Sequence, residues 1–249
     1  MEYITPEEMA ELERRSSEYG AGPKELMENA GKAVAEFVMS RYAGAGRICV
    51  VCGSGNNGGD GFVAARNLAE SMDVSLVLLA DPDRIRTDEA KANWERLALL
   101  GIEVMVAADA GALKEGAYAI EDSDVVVDAI LGTGASGGLV REPLATAIKM
   151  INSSKAATVA IDLPSGLNPG TGDPGTPTIK ADATVALHLA KVGLRGNERY
   201  TGEVVVVPIG IRKGPGPRRR REDLPDTGRA DAELRLPPRR GEKQGGDGG

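Results

Sequence analysis

The sequence is poor in cysteine, histidine and aromatic residues, with two Cys, one His and 3% aromatics in 249 residues. Two thiols cannot form a disulfide framework, and free cysteines of this kind favour a reducing compartment, which predicts a cytoplasmic location. Metal clusters of Cys and His are not expected either, so a zinc site is disfavoured. No apolar run approaches the roughly 20 residues that cross a bilayer, and residues 1–13 are too polar for a secretory signal, so we expect a soluble protein without a membrane partner.

Positive charge is scarce in most of the chain. Residues 1–211 carry 19 basic and 30 acidic side chains, whereas residues 212–249 carry 11 basic and 7 acidic ones. An acidic body repels phosphate polymers, which argues against nucleic acid as the main partner. A ligand that bears phosphate therefore needs local donors, and backbone amides can supply them.

The composition changes near residue 211, which divides the chain into two parts. Residues 1–211 have the length and apolar content of one α/β domain. Residues 212–249 are rich in Pro, Gly and Arg and cannot bury a core, which predicts a disordered tail. A nucleic-acid-binding arm is the alternative, but acidic residues interspersed among the arginines disfavour it.

β-branched runs alternate with helical stretches from Arg47 onward, after two expected amino-terminal helices that begin near Pro6 and Pro23. The expected strands are Ile48 to Cys52, Val74 to Ala80, Glu103 to Val106, Val125 to Leu131, Thr158 to Leu163, Ala183 to His188 and Glu203 to Pro208. The expected intervening helices are Gly61 to Met72, Thr87 to Leu100 and Glu142 to Ile151. This rhythm predicts an α/β fold, a Rossmann-like three-layer αβα sandwich whose central sheet is mostly parallel.

The first of these strands leads directly into a glycine-rich turn and a helix. Gly53, Gly55 and Gly58 satisfy the G-x-G-x-x-G spacing within a segment that continues to Gly61. Such glycines let backbone amides approach a ligand closely, and the following helix start favours an anion. The alternative is a tight turn in which Asn and Asp only cap the helix.

Two aspartates interrupt apolar strands on the carboxyl side of the expected sheet. Asp128 follows three valines and leads to a second glycine-rich loop, residues 132–138, while Asp162 follows Val159, Ala160 and Ile161 and precedes Ser165. If the first five strands take the order 3-2-1-4-5, these loops and the glycine-rich turn border one crevice. A carboxylate in an apolar run needs a cation, donors or a substrate, although simple capping of the loops is the alternative.

Oxygen atoms of Asn57, Asp128 and Ser165 are suited to a weakly held potassium or sodium ion, since only one carboxylate is among them.

Other residues of types that often bind metals or catalyse reactions are expected to have structural roles here. Cys49 and Cys52 are expected to point to opposite faces of a strand and to pack in the core. His188 is expected to be a core or edge residue, and Lys191 a solvated loop residue rather than a group facing the crevice.

Three motifs in this order resemble one known family. They are Gly-Asn-Asn-Gly-Gly-Asp-Gly at 55–61, Asp-Ala-Ile-Leu-Gly-Thr-Gly at 128–134 with Arg-Glu-Pro at 141–143, and Ile-Asp-Leu-Pro-Ser-Gly at 161–166. Together with Leu-Met-Glu-Asn-Ala-Gly at 26–31, they resemble the YjeF N-terminal domain, the family of NAD(P)H-hydrate epimerases. The likeness spans about residues 5–210.

The resemblance implies an isomerase that interconverts the R and S forms of hydrated NADH or NADPH, a repair step for the damaged nicotinamide cofactor. Asp162 then corresponds to the acid–base residue, and Asn57, Asp128 and Ser165 to ligands of one K⁺ per subunit. The implied substrate-binding residues are Asn56, Asn57, Gly58, Gly59, Asp60, Gly132, Thr133, Gly134, Ala135, Ser136, Gly137, Gly138 and Asp162. The resemblance also implies a homodimer and a functional link to an ADP- or ATP-dependent NAD(P)H-hydrate dehydratase. The tail from Gly214 onward faintly resembles the start of such a dehydratase domain.

Two other functions compete with this interpretation. An NAD(P)-dependent oxidoreductase is one, because Asp81 and Asp83 follow the second expected strand, where a ribose is bound in dinucleotide-binding folds. A non-catalytic nucleotide-binding scaffold is the other. The Asn-Asn pair and the second glycine-rich loop disfavour the oxidoreductase, and the intact Asp162 and Asn57 favour catalysis over a scaffold.

Overall fold

The computed structural model describes residues 1–134 and 138–212. The predicted tail from residue 213 onward, and the predicted binding residues Ala135, Ser136 and Gly137, lie outside the described residues. The strands are β1 (Tyr3–Ile4), β2 (Arg47–Cys52), β3 (Asp73–Leu78), β4 (Glu103–Val106), β5 (Val125–Ala129), β6 (Ala157–Ile161), β7 (Ala183–Leu187), β8 (Ala190–Lys191) and β9 (Glu203–Val207). The helices are α1 (Pro6–Glu18), α2 (Pro23–Arg41), α3 (Asn56–Leu68), α4 (Asp88–Leu97), α5 (Ala110–Glu115), α6 (Tyr118–Glu121), α7 (Leu144–Ser153) and α8 (Glu198–Thr201), with short 3₁₀ turns at Pro82–Arg84 and Val192–Leu194.

Seven strands form one parallel sheet in the order β4-β3-β2-β5-β6-β7-β9. The order predicted for the first five strands is confirmed, and the last two strands extend the sheet at its β6 side. The chain reverses its direction of winding between β2 and β5. The carboxyl ends of these two strands therefore border a crevice at the topological switch point, where open α/β sheets bind their ligands.

Both faces of the sheet are covered, which gives the expected three layers. Leu26 of α2 and Phe62 of α3 pack on one face, while Leu113 of α5 and Ile148 of α7 pack on the other. Near-continuous apolar runs such as β2 are buried on both sides for this reason. Cys52 joins the first core and Cys49 the second, so the two thiols point to opposite faces as predicted. Neither forms a disulfide.

The amino terminus differs from the prediction of two helices before any strand. β1 precedes α1 and pairs in parallel with β8, with Tyr3 opposite Ala190 and Ile4 opposite Lys191. A capping box begins α1, since the Thr5 hydroxyl accepts from the Glu8 amide and the Glu8 carboxylate accepts from the Thr5 amide. A two-residue strand has no periodicity of its own, and only its distant partner defines it.

α3 begins at Asn56, five residues before the predicted start at Gly61. Glycines read as turn residues in the sequence, but here they permit close packing inside a helix. A Cβ atom on Gly61 would lie 2.5 Å from the Cβ of Ala129, and one on Gly59 would lie 2.6 Å from the Cε of Met27. The missing side chains let α3 approach the sheet and α2, which offsets the helical cost of glycine.

Across residues 1–134 and 138–212, each helix is too short or too polar to traverse a lipid bilayer.

Candidate active site

The glycine-rich turn lies at the switch point and packs against the loop after β5. A Cβ atom on Gly53 would lie 2.1 Å from the carbonyl oxygen of Ile130, and one on Gly58 would lie 1.9 Å from the carbonyl oxygen of Gly53. Gly55 is different, because a Cβ atom there would meet nothing within 4 Å. The fold therefore requires glycine at two of these positions, whereas Gly55 leaves open space before the first amides of α3. Amides in a first helical turn have no intrahelical acceptor and are donors for an anion.

Asp128 is fully buried at the end of β5, where backbone amides and a hydroxyl surround its carboxylate. Its Oδ1 accepts from the Ser165 hydroxyl at 2.6 Å and from the Ile130 amide at 3.2 Å, and its Oδ2 accepts from the Ser165 amide at 2.8 Å. Burial raises the pKa of Asp128 to about 6, although these hydrogen bonds act in the opposite direction. No ammonium or guanidinium group within the described ranges forms a salt bridge with this carboxylate.

Asn57 and Ser165 meet at Leu131, two residues beyond β5. The Asn57 amide donates to the Leu131 carbonyl at 3.1 Å, and the Ser165 hydroxyl approaches the same carbonyl at 3.3 Å. The Leu131 amide in turn donates to the Ser165 hydroxyl at 2.8 Å. The structure thus brings Asn57, Asp128 and Ser165 together, and we call these three residues with Leu131 the neutral-donor cluster.

Asp162 follows β6 in a left-handed backbone conformation, with φ of 68°. Its Oδ1 accepts from the Leu187 amide at 3.1 Å and from the ammonium group of Lys191, whose side chain is 1% exposed. The Lys191 ammonium also donates to the Leu187 carbonyl at 2.9 Å. A non-glycine residue with positive φ is strained, and such strain is held in place by specific contacts like these.

A cavity of about 400 Å³ is lined in part by Leu187, whose backbone contacts both members of this ion pair. Glu13 of α1, Asp60 of α3 and the apolar Leu187 are among the residues that line it. Burial raises the pKa of Asp60 well above its ordinary value, and the charges of Asp162 and Glu13 add to this effect. The cavity walls partly shield Glu13 from water and raise its pKa as well. We call Asp162, Lys191, Asp60 and Glu13 the charged cluster.

The prediction for Lys191 was wrong, because its side chain is buried against Asp162 rather than solvated. Lysine is seldom buried, so sequence composition favours the solvated state. The signal that was available is that Lys191 follows an apolar strand and that Asp162 needs a partner. Glu13 was also missed, since it resembles an ordinary surface residue of an amphipathic helix. His188 is half-buried directly after β7, which lies between β6 and β9 in the sheet.

The other predicted binding residues that the structure describes differ in their exposure to solvent. Asn57, Gly58, Gly59 and Asp60 are buried in the first turns of α3, and Asn56 is exposed. Gly132 lies against Asn57, because a Cβ atom there would be 3.1 Å from the Asn57 Cβ. Thr133 is half-buried, and Gly134 and Gly138 are exposed.

The described part of the chain contains no group of three or more His, Cys, Asp or Glu side chains placed to hold a metal ion.

A family model described as "YjeF-related protein N-terminus" matches residues 23–193. An NAD(P)H-hydrate epimerase of Cenarchaeum symbiosum is 42% identical over 84% of this chain and 95% of its own. A bifunctional NAD(P)H-hydrate repair enzyme of Pyrobaculum aerophilum is 45% identical over 85% of this chain. That match spans 42% of the relative's length.

Among solved structures, the crystal structure of yeast ynu0 superposes with a TM-score of 0.70 and 22% identity, covering 81% of this chain and 86% of its own. At this identity the likeness concerns the fold alone. The family model and the epimerase relative, which is matched over nearly its whole length, decide the family. The chain belongs to the YjeF-related N-terminal family.

Proposed function

We propose that this chain is an isomerase that interconverts the R and S forms of hydrated NADH and NADPH. The observation that carries the proposal is the charged cluster, which places a paired carboxylate beside an acidic cavity next to a glycine-rich helix start. The helix amides suit the pyrophosphate of a dinucleotide, and the carboxylates suit a ring that becomes positively charged. Relatives that are named for this activity support the same reading.

The chemistry of the substrate explains the need for carboxylates. The hydroxyl group of the hydrated ring is on a carbon next to nitrogen, and the nitrogen lone pair can expel it. The carbon–oxygen bond breaks as the hydroxyl takes a proton and leaves as water, so a cationic ring remains briefly. A water molecule then adds to the opposite face and gives up a proton. The net reaction changes neither the redox state nor the number of protons.

Asp162 is the acid–base residue of this scheme. The family resemblance implies an acid–base role for Asp162, which covers both protonation of the leaving hydroxyl and assistance to the returning water. Its contacts with the Lys191 ammonium and the Leu187 amide hold the carboxylate in place, where it stabilises the cationic ring and accepts the proton of the incoming water. Asp60 is then suited to supply the first proton, because its raised pKa keeps it protonated at higher pH than an ordinary aspartate.

The neutral-donor cluster fits a monovalent cation such as K⁺. It combines one buried carboxylate with the amide oxygen of Asn57, the hydroxyl of Ser165 and the carbonyl of Leu131. Hard oxygen donors with a single negative charge suit a weakly held alkali cation. Bound there, K⁺ would neutralise Asp128 and stabilise the loops after β5 and β6, which border the substrate.

The test is to incubate the purified protein with R-enriched hydrated NADH, with and without K⁺, and to follow the two diastereomers by chromatography. We expect equilibration of the two forms without any change in nicotinamide absorbance from oxidation. Asp162→Asn should lower kcat by at least about 100-fold, because general acid–base catalysis contributes that much or more. Dinucleotide binding, measured by calorimetry, should remain within a few-fold.

Asp122→Asn is the matched control, since Asp122 is an exposed aspartate at the end of α6. It should turn over like the unchanged protein. Near-normal turnover by Asp162→Asn would remove Asp162 from the mechanism. Oxidation of NADH coupled to a second substrate, without epimerisation, would instead favour the oxidoreductase.

The remaining expectations extend this proposal. We propose a cytoplasmic homodimer that acts alongside an ADP- or ATP-dependent NAD(P)H-hydrate dehydratase. Sedimentation of the purified protein tests the dimer. Coupling of the two activities in one assay tests the functional link, since epimerisation should let a dehydratase selective for one diastereomer consume the whole mixture.

A further inference from the structure

Lys191 is a fully buried cation whose strand is fixed by the amino terminus. Ile4 of β1 is its parallel partner in β8, and its side chain is 1% exposed. The ammonium group donates to Oδ1 of Asp162 and, at 2.9 Å, to the carbonyl oxygen of Leu187. One carboxylate and one carbonyl thus hold the ammonium group next to the cavity that Leu187 lines.

A purely structural role does not account for this ion pair. Taking two charges out of water costs free energy that their attraction repays only in part, and apolar side chains can fill the same volume at lower cost. Buried charged groups beside a cleft are instead enriched in functional sites. The position of Lys191 beside the acid–base residue therefore points to the reaction.

The other charged groups that face the pair are mainly acidic. Asp60 approaches it from α3 and Glu13 from α1, and the Lys191 charge lowers the pKa of each in opposition to burial. Arg14 lines the same cavity, but its guanidinium is engaged with Glu11 and Glu18. Three carboxylates and one ammonium therefore share one site, and Asp162 is the carboxylate that forms a salt bridge with the ammonium.

We propose that Lys191 is a positioning residue for epimerisation, which holds the Asp162 carboxylate in a fixed orientation beside the nicotinamide ring. The inference rests on the proposed function, because it assigns a role within the same site. Without the ammonium, Asp162 would lose one of the two donors that orient it. Misplacement of a catalytic group by about 1 Å is enough to lower a rate on the order of 100-fold.

The experiment compares Lys191→Met and Lys191→Arg with the unchanged protein in the diastereomer assay. In Lys191→Met, we expect kcat to fall by about 100-fold, while KM and the dissociation constant of NADH change less than about threefold because Lys191 does not line the cavity. Lys191→Arg restores the positive charge and should recover part of the rate. The acidic limb of the pH–rate profile should move to higher pH in Lys191→Met, because an unpaired buried carboxylate binds a proton more readily.

Lys180→Met is the matched control, since it makes the same substitution at an exposed lysine outside the charged cluster. Its rate and pH profile should match those of the unchanged protein. If Lys191→Met keeps a normal kcat and an unmoved pH profile, the positioning role is wrong. If the unchanged protein does not epimerise at all, the proposed function fails instead, so the two failures are distinguishable.

Removal of one partner from a buried ion pair can prevent folding, so Lys191→Gln provides a second variant. Its amide keeps a donor beside Asp162 but carries no charge. Circular dichroism and thermal unfolding identify which variant is folded at the assay temperature. A folded Lys191→Gln with lowered kcat and a shifted acidic limb supports the proposal, and one with a normal rate and profile overturns it.

Discussion

Two buried aspartates at the ends of neighbouring strands are satisfied in opposite ways. Asp128 of β5 is surrounded by uncharged donors, and burial raises its pKa to about 6. Asp162, after β6, contacts a buried ammonium group. The same residue type at the same sheet edge therefore serves two purposes, which only the partners distinguish. Among the described residues, the carboxylate of the neutral-donor cluster has no cationic partner, whereas the charged cluster contains its own cation.

The first two turns of α3 join the two clusters, since they give Asn57 to one and Asp60 to the other. Gly58→Ala should therefore disrupt both, because its Cβ atom would lie 1.9 Å from the Gly53 carbonyl oxygen and the backbone must shift. We expect a loss of about 3 kcal/mol or more in the free energy of unfolding, measured in urea. Gly55→Ala is the control, with open space around its Cβ, and should stay within about 1 kcal/mol. Equal stability of the two variants would contradict this geometry.

Asp128→Asn separates the two clusters by their response to potassium. It removes the only carboxylate of the neutral-donor cluster, so we expect K⁺ affinity to fall on the order of 100-fold, the upper range for changes around a metal site. Asp162→Asn should leave that affinity nearly unchanged. The measurement is the rise in melting temperature with K⁺ concentration, since binding to the folded state stabilises it. A K⁺ response lost in Asp162→Asn and kept in Asp128→Asn would reverse our assignment.

Ser165→Ala should have a smaller effect within the same cluster. It removes the hydroxyl that donates to Asp128 at 2.6 Å and that accepts from the Leu131 amide at 2.8 Å. Two buried groups lose a partner, which costs about 1–3 kcal/mol of stability. We also expect about a tenfold higher K⁺ concentration for half-activation. Ser154→Ala, at the end of α7, is a control that should leave the K⁺ response unchanged.

Asp60→Asn tests the charged cluster through the pH dependence of stability. The pKa of Asp60 is raised in the folded state. Protonated Asp60 therefore stabilises the fold below its unfolded pKa, ordinarily near 3.8, and this stabilisation is lost as pH rises through the folded pKa. Asn does not titrate, so the free energy of unfolding of Asp60→Asn, measured in urea, should rise relative to that of the unchanged protein between pH 4 and 8, by about 1 kcal/mol or more. A difference that is independent of pH would mean that Asp60 stays ionised.

The layers and the strand order could be predicted from the sequence because they depend on local patterns. Apolar β-branched runs such as β2 and β5 identify buried parallel strands, and a parallel strand order then places their loops at one edge. Asp128 was recognisable for the same reason, as a carboxylate within an apolar run.

Long-range pairing limited the remaining predictions. Lys191 is buried because β1, nearly 190 residues earlier in the sequence, pairs with its strand and because Asp162 turns toward it. Neither condition leaves a local pattern. The start of α3 was missed because glycines at 58, 59 and 61 look like loop residues until the neighbours against which they pack are known.

The two buried cysteines of β2 provide a probe of local opening in all these variants. Both are completely inaccessible, and burial raises the pKa of Cys49 to about 12, so almost no thiolate exists at neutral pH. An alkylating or disulfide-exchange reagent should therefore modify the chain only when β2 opens. The rate of thiol labelling then reports how often the central strand becomes exposed, and it can be read without substrate, cation or added dye.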